Sequence, residues 1–279
     1  NFGISRLHVI KERRSMKKYF TIMKTMWVRA LTYRFTIAAY RVGELIEIFF
    51  LLVMWSALFS NQAIIGGYTF SEMITYVIVG NLVTLATRNF LSDFMAREIK
   101  DGTLSFFVVK PLTYFRYAIA RELGRITLPL ALSVGSQMII IILFIRHIKL
   151  PADWLTIFLF LIMIVLAFML EFLLAYLIGA IAFWTDEVDG IYATIARLKR
   201  FVSGGYFPLS LLPSIYVKIS LALPFAYSFF VPTQLYLGKL SIPDAFKGIG
   251  VQCIWIILLY GLIKLVWRRG TRKYEGVGI

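Results

Sequence analysis

Long apolar stretches, separated by short polar or charged segments, run the length of the chain. Six of them have about the 20 residues that a helix needs to cross the hydrocarbon core of a bilayer. They are Phe35–Phe59, Phe70–Phe90, Ile119–Ile145, Trp154–Trp184, Ile191–Leu212 and Ala245–Trp267. The pattern predicts an all-α membrane protein with six transmembrane helices, in a single transmembrane domain over residues 1–279.

The fifth stretch departs from this pattern. It carries Arg197, Lys199 and Arg200 at its start and Pro208 near its end. Charged side chains are costly inside a bilayer, and proline interrupts a helix. We therefore expect the embedded part to begin near Phe201 and to be bent or broken.

Three segments outside the spans have a composition that predicts their structure or position. Residues 11–34 mix basic with apolar and aromatic side chains, which favours an amphipathic helix on the inner membrane surface over an ordinary solvated helix. Residues 93–112 form the longest predicted cytoplasmic loop. Residues 213–238 contain three prolines among apolar residues, which predicts a broken or re-entrant outer segment before the sixth span.

The basic residues give the orientation. Of the 30 Lys and Arg residues, nine lie before Phe35, seven from Arg88 to Arg125, three from Arg197 to Arg200 and five from Lys264 to Lys273. These 24 fall on one side of the predicted membrane and five fall on the other, while Arg41 lies within the first span. Positive charge is retained on the cytoplasmic side of a membrane. Both termini are therefore predicted to be cytoplasmic, and we expect the plasma (inner) membrane of a bacterium.

The composition excludes several classes of protein. The chain has 59% hydrophobic residues, 16% charged residues and a net charge of +15, which is not the composition of a soluble enzyme. Its basic residues are dispersed between apolar runs, so we expect no nucleic-acid partner. A single cysteine and two histidines do not suggest a disulfide framework or a metal site. The N-terminal segment does not have the pattern of a cleavable signal peptide.

Polar residues inside the predicted spans are candidate functional groups, because such residues are costly in a bilayer. Glu171, near the middle of the fourth span, and Gln137 in the third are the candidate gate residues. Glu171 could instead make a structural hydrogen bond to Gln137 or Ser136. Arg41 and Glu44 are spaced as an i,i+3 pair near the inner interface, which predicts a structural clamp.

No segment matches the GxxxxGK[ST] loop that cradles nucleotide phosphates. If the protein drives transport, we expect another chain to hydrolyse the ATP. The nearest candidate for a metal-binding acidic cluster is Asp186, Glu187 and Asp189, but these acids also suit a loop that pairs with nearby bases. We therefore expect no metal or cofactor on this chain.

The cytoplasmic loop carries a recognisable pattern. The run Arg97-Glu98-Ile99-Lys100-Asp101-Gly102-Thr103-Leu104, followed by Val109-Lys110-Pro111-Leu112, resembles the first cytoplasmic loop of type-2 ABC exporter permeases. Further segments that resemble this family are Gly204-Gly205-Tyr206-Phe207-Pro208-Leu209, Leu212-Pro213, Leu223-Pro224-Phe225, Pro232, Leu237-Gly238 and the C-terminal run 267–278. Together they cover most of the chain.

The resemblance implies a transporter assembled from two permease subunits and separate ATP-binding subunits, which hold the ATP and magnesium. The loop after the second span would form a coupling helix that docks on the ATPase. The residues that this implies for coupling are Arg97, Glu98, Ile99, Asp101, Gly102 and Leu104, with Phe106 as a further apolar anchor. The second permease would be the same chain or a homologous one, and membrane lipid would surround both.

The translocation path is less marked in the sequence. Candidate pathway residues are Tyr76, Asn81, Thr84, Ser203 and Tyr206, which could equally be packing residues. Two other functions stay open at this point. They are a membrane-embedded transferase acting on a lipid-linked substrate and a non-catalytic membrane scaffold.

Overall fold

Helices make up nearly all of the structure, a computed structural model that describes residues 2–109, 113–185 and 189–274. Its α-helices are α1 (Phe2–Thr32), α2 (Arg34–Phe59), α3 (Phe70–Thr87), α4 (Leu91–Lys100), α5 (Phe106–Val109), α6 (Tyr114–Phe144), α7 (Trp154–Ala180), α8 (Asp189–Val202), α9 (Ser214–Ala222), α10 (Phe225–Ser228), α11 (Phe230–Tyr236) and α12 (Ile242–Lys273). A small antiparallel hairpin, β1 (Ile64–Ile65) and β2 (Tyr68–Thr69), joins α2 to α3.

Five helical segments in this part of the chain are long and apolar enough to cross a membrane. They are Arg34–Phe59, Phe70–Lys100, Tyr114–His147, Trp154–Phe183 and Ile242–Lys273. They correspond to five of the six predicted spans, with ends that differ by a few residues or extend beyond the bilayer. The protein is therefore a multi-pass, all-α membrane protein.

The predicted fifth span, Ile191–Leu212, is broken, as its composition led us to expect, and whether it crosses the membrane stays a prediction. Its helix α8 ends at Val202, and Gly204 follows with a φ of +84°, a left-handed conformation that interrupts the helix. The embedded part was expected to begin near Phe201, and α8 ends one residue after that position. A short 3-10 turn, Leu209–Leu211, follows.

The chain then forms a hairpin of short helices, α9 to α11. Just before the hairpin, the hydroxyls of Tyr68 and Ser210 lie 2.9 Å apart. In its last helix, α11, the Gln234 amide donates to the same Tyr68 hydroxyl at 2.6 Å. Between these points Ser228 donates to Glu171 of α7 at 2.7 Å. The hairpin thus enters and leaves at one end of the bundle, as a re-entrant segment requires; its depth in a bilayer stays a prediction.

Side-chain caps define the starts of three long helices. Thr69 and Glu72 form a capping box at α3, with the Thr69 N–H donating to the Glu72 carboxylate at 2.9 Å. Asp153 accepts from the Thr156 N–H at 2.6 Å at α7, and this bond lowers the pKa of Asp153. Ser241 caps α12. All three starts lie at the ends predicted to face outward, so polar caps satisfy backbone groups where the chain leaves the bilayer.

Buried apolar side chains form two clusters, one towards each end of the bundle. The outer cluster includes Met73, Ile74, Met163, Leu209 and Leu235. The inner cluster includes Leu91, Met95, Ile99, Leu104, Leu170, Phe172 and Leu173. Helix α7 contributes to both clusters and is therefore the central helix of the fold.

The outward faces of α2, α6 and α12 remain uncovered. Phe35, Ile142 and Ile257 are each more than 60% exposed, although all three are large and apolar. Such a surface is unfavourable in water and is the normal condition for a helix in contact with lipid or with another membrane chain.

Candidate functional site

The candidate site lies after α3, in a segment that we call the coupling unit: α4, the 3-10 turn Thr103–Ser105 and α5, residues 91–109. Helix α4 has apolar residues at four-residue spacing, Leu91, Met95 and Ile99, and these fall on one face. Gly102 then adopts a φ of +71°, which turns the chain back so that Leu104 can be buried as well. The unit is thus folded onto the bundle.

Two of the residues that were predicted to dock on the ATPase point into the protein. Ile99 and Leu104 are 5% and 4% exposed and belong to the inner cluster. In this structure their side chains pack within the chain itself, and a role as anchors for a partner protein stays a prediction. An amphipathic helix can bury its apolar face in its own chain or in another, and the four-residue spacing does not distinguish the two. Phe106 remains 59% exposed.

Glu98 also points into the protein. Its carboxylate accepts from Arg121 of α6 at 2.8 Å and from the Tyr114 hydroxyl at 2.5 Å. The Arg121 side chain is only 5% exposed, and its guanidinium lies 3.9 Å from the centre of the Phe94 ring. Glu98 therefore anchors α4 to the start of α6 in this structure, and its predicted coupling role stays a prediction.

Three residues of the coupling unit are left facing outward. Arg97 and Asp101 are exposed beside Phe106, whereas Gly102 is buried at the turn. A guanidinium, a carboxylate and an aromatic ring on one short segment form a mixed polar and apolar surface, which suits a protein contact. Lys110, Pro111 and Leu112, the end of the predicted loop 93–112, lie outside the described residues.

The coupling unit is packed tightly on the long helices. A Cβ added at Gly179 of α7 would lie 3.0 Å from the Met95 side chain, so the two backbones approach closely. Tyr114 of α6, which bonds to Glu98 of the unit, stacks its ring on Trp267 of α12, with ring centres 5.1 Å apart and planes 18° apart. Because packed interiors resist compression, a displacement of α4 would be passed to α7 and α12.

The Arg41–Glu44 ion pair is present, with nitrogen and oxygen 2.6 Å apart. It extends further than the sequence indicated, since Glu44 also pairs with Arg88 at the end of α3, and Arg41 donates to Ser133 of α6. The group joins α2, α3 and α6 at one level. A clamp role for the pair stays a prediction that this geometry suits.

Glu171 has partners that the sequence did not indicate. Its carboxylate lies 2.5 Å from the Lys199 ammonium of α8 and accepts the bond from Ser228 of α10. The side chain is 9% exposed, and that of Lys199 is 31% exposed. The alternative that it bonds to Gln137 or Ser136 is wrong in this structure, because Lys199 of α8 and Ser228 of α10 hold the carboxylate.

The two α6 residues have other partners. Gln137 donates to the amide oxygen of Asn81 of α3, and Ser136 donates to the backbone carbonyl of Ser133 in its own helix. Asn81 and Gln137 therefore join α3 to α6. In this conformation they form a buried structural contact, and a gate role for Gln137 stays a prediction.

The other predicted pathway residues are also engaged in the protein itself. Tyr76 is buried and donates to the Gly204 carbonyl at 2.6 Å, which holds the break after α8 against α3. Thr84 and Ser203 bond to the backbone of their own segments. Tyr206 is 38% exposed. The structure does not bring these residues together around one channel, and their pathway role stays a prediction.

A cavity of about 420 Å³ opens where α1 and α2 meet α3 and α6. We call it the arginine cavity, because Arg29, Arg41, Arg88 and Arg125 all line it. Sequence reasoning did not identify it. The available signal was the polar trio Arg121, Glu122 and Arg125 within an otherwise apolar stretch, but only the tertiary structure brings these helices together.

Among the described residues, no group of three or more His, Cys, Asp or Glu side chains could hold a metal ion. Of the acidic cluster considered above, Asp186 and Glu187 lie outside the described residues, as does the side chain of Asp189.

Two comparisons with known proteins bear on this arrangement. A family model described as "ABC-2 family transporter protein" matches residues 45–278. A comparison with curated proteins gives no match. The matched range includes the whole coupling unit and every helix from α3 onward, and it leaves out α1 and the first part of α2.

Proposed function

The chain belongs to the ABC-2 transporter family, and from this premise we propose that it is the membrane-spanning subunit of an ATP-driven exporter. It would form the translocation path with a second permease subunit, identical or homologous, in the inner membrane of a bacterium. Separate ATP-binding subunits would hold ATP and Mg²⁺ and hydrolyse the nucleotide.

The observation that carries this proposal is the construction of the coupling unit. It exposes Arg97, Asp101 and Phe106 while its opposite face is locked into the inner cluster. A lever between two proteins needs both properties: an accessible surface for the partner and a rigid connection to the moving helices. A solvated linker would need neither the buried apolar face nor the Glu98–Arg121 ion pair.

The same packing suggests how ATP binding would act. When the ATPase subunits close, they would push the coupling unit. Its contacts with α7, and its bond to Tyr114, which stacks on α12, would carry the displacement into the membrane. Helix α8 and the α9–α11 hairpin would follow, because Lys199 and Ser228 both hold Glu171 of α7. Transport requires two such states with different affinity for the substrate.

A second permease subunit has a suitable surface to bind. The uncovered apolar faces of α2, α6 and α12 exceed what a water-soluble protein exposes. In a bilayer, close packing and interhelical hydrogen bonds, rather than the hydrophobic effect, would favour association along one of these faces.

Co-purification tests the docking surface. The chain would be expressed with the ATP-binding subunit encoded beside it, solubilised, and captured through a tag on the chain. We expect the R97E and F106A variants to retain at least fivefold less ATPase subunit than wild type. The matched control is R146E, a charge reversal at an exposed residue of the connection between α6 and α7, at the opposite end of α6.

The ATPase subunit should remain bound at the wild-type level to R146E. Equal retention by R97E, F106A and R146E would overturn the assignment of the docking surface. If wild-type protein retained no ATPase subunit at all, the proposed function itself would fail.

A further inference from the structure

The arginine cavity is not used by the proposed coupling mechanism. Its wall combines the four arginines with apolar and aromatic side chains. The latter include Ile37, Tyr40, Leu85, Phe90, Ile126 and Leu130. A volume of about 420 Å³ is within the usual range for a small-molecule site.

The arginines leave the cavity with excess positive charge. Glu44 pairs with Arg41 and Arg88, and Glu122 pairs with Arg125, but neither glutamate is part of the cavity wall. Two carboxylates against four guanidiniums leave a formal charge of +2. The Nε atom of Arg41 is also buried without a hydrogen-bond partner. Guanidinium groups bind phosphate oxygens with good geometry, so the cavity suits a phosphate.

The position of the cavity suits the headgroup level of the cytoplasmic leaflet. It lies at the junction of α1 and α2, where backbone bonds continue through Tyr33, and beside Arg88 at the end of α3. The sequence places both of these points at the inner interface. Tyr33 and Tyr40 in its wall are 57% and 67% exposed, so it opens towards the uncovered face of α2.

Helix α1 closes one side of the cavity. A Cβ added at Gly124 of α6 would lie 2.5 Å from the Met23 Cα, and the Trp27 indole donates to Thr127 at 2.6 Å. These contacts hold Arg29 over the cavity, with its guanidinium 6.0 Å from the centre of the Phe94 ring. Helix α1 is outside the family match, so the complete site is not a feature of the matched region alone.

We propose that the arginine cavity binds an anionic phospholipid of the cytoplasmic leaflet, with its phosphate among the arginines and its acyl chains along α2 and α6. The positive wall recognises the phosphate, and the apolar wall accepts the start of the chains. An anionic lipid is favoured over a zwitterionic one because it neutralises more of the +2 excess. The proposal is independent of ATPase docking, since it concerns the chain alone.

Native mass spectrometry of the purified full-length chain tests this proposal. The probes are phosphatidylglycerol, phosphatidylcholine of the same acyl chains, and inorganic phosphate. We expect at least tenfold tighter binding of phosphatidylglycerol than of phosphatidylcholine. Each exposed or half-exposed arginine contributes about 1 kcal/mol, so R29Q or R88Q should lower the affinity for phosphatidylglycerol about fivefold.

The matched control is K24Q, which removes one exposed positive charge from the same helix as Arg29 but outside the cavity wall. It should bind phosphatidylglycerol as wild type does, and R29K should recover most of the affinity lost in R29Q. Because R88Q also breaks an ion pair, A30F serves as a second variant that fills the cavity without changing charge. We expect A30F to lower phosphatidylglycerol binding.

Three results would overturn the proposal: equal binding of the two lipids by wild type, equal loss in K24Q and R29Q, or unchanged binding in both R29Q and A30F. Inorganic phosphate separates the sources of the phosphate. If it displaces phosphatidylglycerol at millimolar concentration, the site takes free phosphate and the lipid assignment fails. A chain that binds the lipid but retains no ATPase subunit would contradict only the proposed function.

Discussion

Removing Arg121 tests whether the coupling unit is anchored as the structure indicates. The Arg121 side chain is 5% exposed and lies 2.8 Å from the Glu98 carboxylate, whose side chain is 20% exposed. Breaking a buried ion pair by removing one partner costs about 3–5 kcal/mol. Glu98 keeps its bond from Tyr114 and some contact with water, so we expect R121A to lie near the lower limit, about 3 kcal/mol.

The lost contact with the Phe94 ring adds about 1 kcal/mol to this cost. The combined loss of about 4 kcal/mol in the local opening free energy corresponds to about 1,000-fold faster hydrogen exchange of the protected amides. Hydrogen exchange read by mass spectrometry on peptides from residues 91–105, with the protein in detergent, measures this directly. Peptides from the α9–α11 hairpin, which does not contact Arg121, should exchange at the wild-type rate.

R116A is the matched control. Arg116 lies on the same helix, α6, but is exposed, and the structure gives it no ion pair among the described residues. Its removal should leave exchange in α4 within about twofold of wild type, since exposed surface charges contribute little to stability. Equal protection of α4 in R121A, R116A and wild type would refute the anchoring argument.

Two further predictions concern α6 and α7. G124A should loosen α1, because its Cβ would meet the Met23 backbone at 2.5 Å. G135A has open space around it and should stabilise α6 by about 1 kcal/mol. Thermal unfolding measures these opposite changes in stability, and limited proteolysis reports the release of α1. K199M leaves Glu171 without its counter-ion and should destabilise by about 1–3 kcal/mol, and adding E171Q should restore part of the loss. If the losses of stability in K199M and E171Q were strictly additive, the Glu171–Lys199 ion pair would be contradicted. If G135A destabilised the protein as much as G124A, the close contact of α1 at Gly124 would be contradicted.

Hydropathy found the long helices because a bilayer imposes a simple requirement. A membrane-crossing helix needs about 20 apolar residues and no unpaired charge, and this can be counted along the chain. The starts of α2, α3 and α7 were therefore located within one residue. The charges and Pro208 predicted that the fifth stretch is bent or broken, but not where the break lies, because Gly204 ends the helical geometry without making the stretch less apolar.

The orientation of the coupling unit could not be read from sequence. The residues at 97–104 identified the segment by its resemblance to the family. However, the apolar face of α4 does not by itself predict whether it packs on its own helix bundle or on a partner protein. Glu98 looked like a surface charge beside Arg97, and only the approach of α6 made it a buried anchor. The resemblance located the unit, and the packing determined which of its residues remain accessible.

The charged positions show the same division. The i,i+3 spacing of Arg41 and Glu44 was sufficient to predict their ion pair, since a helix fixes the distance between such residues. The pairing of Glu171 with Lys199 was not predictable in this way, because the two lie on different helices.

By itself, the sequence determined the membrane class, most of the spans, the predicted orientation and the location of the coupling unit. Each of these properties depends on amino-acid composition, on the period of the apolar residues or on the spacing of residues close together in the chain. The tertiary structure alone decided which polar groups pair across helices, which face of α4 is free, and that four arginines from α1, α2, α3 and α6 surround one cavity. The reason is physical: these properties depend on distances between segments remote in the chain, and close packing in three dimensions sets them.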